Sequence, residues 1–159
     1  MTSSLAILAL ILIAATAFGL WRQWRDGRMR DPRRSRTALP AASTPGQMGP
    51  ATDLAAHRLA VADLGSPLGE RATLVQFSTA FCQPCRATRR ILDEVAGMVP
   101  GTLHVEVDAE SHLELVRRLD IRRTPTTLIL DADGVIAKRA SGLPRKADVI
   151  AALAEVIRT

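Results

Sequence analysis

The feature that most constrains this chain is a change of hydrophobic period that repeats along residues 57–157. Thr73 to Phe77 (TLVQF) is a short, mostly apolar, β-prone run after the turn-rich Gly65-Ser66-Pro67-Leu68-Gly69, and it reads as a central strand. Ile91, Leu92, Val95 and Val99 then fall on one helical face, which Pro100-Gly101 closes. Leu103, Val105 and Val107 alternate with His104 and Glu106 as a strand does, and Leu113, Val116 and Leu119 mark a short helix. Thr126 to Leu130 and Val135 to Ala140 flank Asp131-Ala132-Asp133-Gly134, a strong hairpin signal, so these two strands are expected to run antiparallel. A last helix covers Arg145 to Ile157, with Val149, Ile150, Leu153 and Ile157 facing inward. Strand and helix in alternation predict an α/β layer fold.

With 159 residues the chain has room for one domain and an appendage. Leu5 to Trp21 carries no charge and, with Thr2 to Ser4, is long enough for a spanning helix, so residues 1–21 are expected to be a transmembrane anchor. A cleaved signal peptide is the rival reading. Ala15-Thr16-Ala17 resembles a cleavage site, but the usual basic region ahead of the apolar run is missing. Residues 22–36 form a basic juxtamembrane segment holding seven arginines against Asp26 and Asp31, which is the whole surplus of +5. From Thr37 onward bases and acids balance, so the charge speaks for membrane lipid and against a nucleic-acid partner. Residues 37–52, rich in Pro, Ala, Ser, Thr and Gly, read as a flexible linker, and residues 53–159 as the folded domain.

Basic residues beside a spanning helix stay on the cytoplasmic side, and here they all follow it. The expected topology is single-pass in the cell membrane, with the N-terminus outside and the domain facing the cytoplasm. An extracytoplasmic domain is the alternative.

Cys82 and Cys85 are the only cysteines and lie three apart, so they form no disulfide framework and are available for one local task. Such a pair closes a small disulfide when the first cysteine precedes a helix and the second lies in its first turn. Unpaired N–H groups and the helix dipole then favour Cys82 as thiolate, the reactive form. Pro84 in the first turn costs no hydrogen bond. Arg86, Arg89 and Arg90 add positive charge nearby. Cys82 is expected to attack a client disulfide and Cys85 to resolve the mixed disulfide. Half of a zinc site is the competing reading, but there is no second CxxC, and His57, His104 and His112 supply no HxxxH-type partner. Neither a metal nor a cofactor beyond the redox-active disulfide is expected.

Val75-Gln76-Phe77, Phe81-Cys82-Gln83-Pro84-Cys85 and Ile121-Arg122-Arg123-Thr124-Pro125-Thr126, with the late Gly142, resemble the thioredoxin family over residues 70–157. The resemblance implies the thioredoxin fold, a central mixed β-sheet flanked by helices, and a protein-disulfide oxidoreductase. In that family the proline before the fourth core strand is cis and lies against the active-site sulfurs. Pro125 takes that role here by resemblance, with Thr124, Phe81, Gln83 and Pro84 contributing to client binding. Thr124 would offer its backbone to an extended client segment. The implied partners are disulfide-bearing client proteins and an upstream electron donor, such as a thioredoxin reductase or a membrane thiol transporter. The resemblance also allows extracytoplasmic interchange in cytochrome maturation or disulfide formation. A redox-sensing binding module without turnover is the reading from a different class.

Two kinds of departure from the family pattern stand out. Gln76 stands where relatives carry a buried aspartate and cannot accept and return a proton as a carboxylate does. His104, where relatives often have lysine, is the candidate to compensate. Phe81 and Ser78 replace the family's usual tryptophans, which alters the client surface more than the chemistry.

Overall fold

The computed structural model describes residues 2–25, 28–29 and 57–158. The expected linker, residues 37–52, and most of the basic segment, residues 22–36, lie outside the described residues. Helix α1 spans Thr2–Arg25, beyond the expected boundary at residue 21. Large apolar side chains on it, among them Leu10, Ile13, Phe18 and Trp21, are exposed. Among the described residues no helix is long and apolar enough to cross a membrane.

The domain opens with the single turn α2 (Val61–Leu64) and continues as β1 (Ala72–Ser78), α3 (Gln83–Met98), β2 (Thr102–Asp108), α4 (Leu113–Arg118), β3 (Thr126–Asp131), β4 (Ile136–Ser141) and α5 (Lys146–Arg158). The sheet order is β2-β1-β3-β4, so β1 is internal, as its apolar run requires. Strand β2 joins β1 in parallel through the α3 crossover, with Gln76 opposite Glu106. Strands β3 and β4 add antiparallel. The sheet is therefore mixed. Pro125 precedes the third of the four strands. Upstream of them, Arg58 makes an isolated antiparallel bridge to Val135.

Alternation along β1 divides the interior in two. Val75 and Phe77 pack with Val105, Val107, Leu115, Leu119, Ile121, Leu128 and Leu130 on one face. Ala72 and Leu74 pack with Leu92, Val95, Ile129, Val149 and Leu153 under α3 and α5 on the other. Fully burying one such Leu or Phe is worth roughly 1.5–3 kcal/mol.

Two inward faces differ from the sequence expectation. In α4, Leu115 and the C-cap Leu119 are buried while Leu113, the first residue of this short helix, is exposed. The turn that follows it is held from a distant strand: the Arg139 guanidinium donates to Leu119 O and Asp120 O, each at 2.7 Å. In α5, Ala152 and Val156 take the place expected of Ile150 and Ile157, a shift of the buried stripe around the helix. Ile150 is 36% exposed and Ile157 packs at the margin. The β3–β4 hairpin forms as expected. Asp131 Oδ1 accepts from the Asp133 and Val135 N–H groups, and Gly134 supplies a φ of 79°.

Candidate active site

The cysteine pair sits where β1 ends and α3 begins. Cys82 is the N-cap of α3, with extended backbone, and its sulfur accepts from the Cys85 N–H at 3.2 Å. Pro84 lies in the first turn, where no intrahelical donor is lost. That turn contains no acidic side chain, so nothing on the helix competes for the positive end of its dipole. Cys82 and Cys85 form a disulfide, with S–S 2.03 Å and Cα atoms 5.2 Å apart. The two sulfurs differ in environment: Cys82 is partly exposed, whereas Cys85 is 3% exposed.

A second segment comes to the same end of the sheet. The Thr124–Pro125 peptide is cis, with Pro125 buried and Thr124 partly exposed. Several bonds pin this loop. Thr79 Oγ1 and Thr124 Oγ1 are 3.3 Å apart and share a hydrogen bond. The Thr126 hydroxyl donates to Arg123 O at 2.8 Å, and the Arg123 guanidinium donates to Ser141 O at 2.9 Å. Gly142, at a φ of 89°, donates its N–H to Pro125 O at 2.8 Å. A side chain at that φ would be strained, which accounts for the late glycine.

Phe81 is 97% exposed beside Cys82, and Gln83 and Pro84 are also exposed, so these three form an open apolar and amide rim. Arg86 and Arg90 are exposed on α3. Arg89 instead turns to β2 and pairs with Glu106.

Beneath the pair lies a polar corner. Gln76 is fully buried, and its Nε2 donates to the backbone carbonyl of Cys85 at 3.0 Å and reaches Glu106 Oε1 at 3.5 Å. The Ser78 hydroxyl donates to the same carboxylate oxygen at 2.6 Å. His104 lies on the same side of β2, two residues before Glu106 and opposite Leu74, and its Nδ1 is 2.5 Å from Asp93 Oδ1 on α3. Gln76 therefore sits beside Cys85 and Glu106, while His104 engages Asp93. Glu106 and Thr79 were not singled out as site residues from sequence, and Ser78 was noted only as a departure affecting the client surface. Alternation along β2 already placed Glu106 on the face away from Val105 and Val107, but only the parallel register set it against Gln76.

The thioredoxin family model matches residues 58–155. The chain belongs to the thioredoxin family, with its disulfide at the CxxC spacing used by thiol–disulfide oxidoreductases of that family. Thioredoxin H5 of Oryza sativa subsp. japonica is 31% identical over 72 residues, 45% of this chain and 53% of that protein. The thioredoxin of Mycobacterium tuberculosis (strain H37Rv) is 32% identical over 88 residues, 55% of this chain and 75% of that protein. The chain thus spans about half the length of the rice relative. A mutant thioredoxin from Halobacterium salinarum shares the fold at a TM-score of 0.51 and 17% identity, covering 55% of this chain and 76% of that one.

Proposed function

We propose that this chain is a membrane-tethered thiol–disulfide oxidoreductase that reduces or exchanges disulfides of client proteins. The observation that carries this reading is the Cys82–Cys85 pair at the start of α3, in the fold of a family whose clients are disulfide-bearing proteins. In the reduced protein, α3 favours the Cys82 thiolate through its dipole and unpaired N–H groups. That thiolate attacks one sulfur of a client disulfide, and the other client sulfur leaves and takes up a proton. Cys85 then loses its proton and attacks the Cys82 sulfur, expelling the second client thiol. Two electrons and two protons pass to the client, and the Cys82–Cys85 disulfide forms. A thioredoxin reductase or a membrane thiol transporter would restore the dithiol. Thr124 offers its backbone for strand-like pairing with an extended client segment, and Phe81 offers an apolar contact.

The tether rests on the sequence, on the charge-free run Leu5–Trp21 and the arginines that follow it, while among the described residues no helix is long and apolar enough to cross a membrane. Those arginines favour a cytoplasmic domain. A reporter active on one side of the membrane, fused after Thr159, tests this. Activity only outside would transfer the same chemistry to the extracytoplasmic face.

The catalytic reading is tested with the full chain in mild detergent, as acceleration of insulin reduction by dithiothreitol. Precipitation faster than with dithiothreitol alone is expected, with the acceleration lost in Cys82→Ser. Client binding without acceleration would instead indicate a redox-sensing module.

A further inference from the structure

The Gln76 side chain is fully buried, and its Oε1 has no hydrogen-bond partner among the described residues. Its orientation is fixed, because both atoms its Nε2 faces, Cys85 O and Glu106 Oε1, are acceptors. Flipping the amide would set oxygen against oxygen. An orphaned acceptor at such a depth is costly. The protein described here is the disulfide form. Reduction adds hydrogen-bond donors to this region, and the buried sulfur, Cys85, belongs to the residue whose carbonyl already holds the Gln76 amide.

We propose that Gln76 Oε1 accepts a hydrogen bond from the Cys85 thiol in the reduced protein, and that Glu106 is a positioning residue that holds the Gln76 amide for it. The proposal rests on the oxidoreductase reading above. Glu106 is itself held by the Ser78 hydroxyl and by Arg89. The charged and titratable groups around this corner are Arg89 and Asp93 on α3 and His104 on β2, with His104 and Asp93 engaged with each other. Reduction by a dithiol breaks the Cys82–Cys85 bond and oxidises the donor to its disulfide. Of the donor's two protons, one stays on Cys85 and the other goes to solvent, leaving Cys82 as thiolate. The Gln76 acceptor is then satisfied in the dithiol and orphaned in the disulfide, so it favours the reduced state. A glutamine replaces proton exchange at this position with a redox-dependent hydrogen bond.

The test is the equilibrium between disulfide and dithiol forms of the full chain in detergent, measured against glutathione. Gln76→Leu keeps the volume and removes the acceptor. Its equilibrium constant for reduction is expected to fall about tenfold, which makes the potential about 30 mV more negative. Glu106→Ala is expected to lower the constant about threefold further in the wild-type background than in the Gln76→Leu background, a coupling that a through-space charge effect would not produce. Equal constants for wild type and Gln76→Leu would overturn the proposal and indicate a water on Oε1 in both states. Equal effects of Glu106→Ala in the two backgrounds would overturn its positioning role. Should Gln76→Leu fail to fold, the wild-type chain alone decides. After reduction and alkylation of Cys82, the infrared S–H stretch of Cys85 is expected below that of a free thiol, and a free-thiol frequency would overturn the proposal. A wild-type chain that does not exchange with glutathione at all would remove the oxidoreductase reading as well. Exchange with an unshifted potential would remove only this inference.

Discussion

The two sides of β1 are built to different specifications. On one, Val75 and Phe77 enter a wholly apolar cluster with residues of β2, α4 and β3. On the other, Ala72 and Leu74 begin in an equally apolar layer, but the strand ends in Gln76 and Ser78 beneath the cysteines. All seven β1 residues are buried, so burial does not distinguish the sides. Hydrogen-bond demand does. The apolar side can be satisfied by any close packing, whereas the polar corner works only if each donor meets a particular acceptor. The first side supplies stability, and the second places chemistry at the end of a rigid strand.

This contrast can be broken from either side. The largest expected effect is on turnover: Cys82→Ser should abolish insulin reduction, while urea unfolding of the variant matches that of the reduced wild type. Phe77→Ala, on the apolar side, should cost about 3–5 kcal/mol in urea unfolding. Its redox potential should stay at the wild-type value, because the altered side chain points away from the cysteines. Ser78→Ala, on the polar side, removes a bond to a carboxylate and should cost about 1.5–3 kcal/mol by the same measurement. The smallest effect is expected at Asp108, where β2 ends. The Ser111 hydroxyl, followed by the Glu110 N–H, holds its exposed carboxyl below the usual carboxylate range. Because its folded value is depressed, its contribution to stability is present above the unfolded value and is lost as pH falls through the folded one. Asp108→Asn should therefore be slightly less stable at neutral pH, and thermal melts of the two proteins should converge in acid.

The sheet elements were legible because each carries its own period. TLVQF and the Leu103–Val107 alternation locate β1 and β2 to within a residue or two, and Asp131-Ala132-Asp133-Gly134 locates the hairpin. Helix faces were less legible. Leu113 and Ile150 fit an apolar stripe by spacing but are exposed, since which stripe is buried depends on how the helix lies on the sheet. The cysteine pair and Thr124-Pro125 were legible as motifs, and the structure brings both to one end of β1. The carboxylate beneath them was not. Glu106 reads as a polar position on an alternating strand, and its place against Gln76 is a matter of register between two strands separated by a helix. His104 attracted attention through its resemblance to a family position, yet its partner in the fold is Asp93.

The central claim is that the start of α3 makes one sulfur a nucleophile while the fold keeps its neighbour in reserve. The most direct measurement is the alkylation of the fully reduced chain by iodoacetamide at neutral pH, with each cysteine followed by peptide mass. The account predicts that Cys82 is modified at least about tenfold faster than Cys85 and faster than a free cysteine, as expected of a thiolate at a helix N-terminus. Equal rates at the two positions, or a Cys82 no faster than the free thiol, would contradict it.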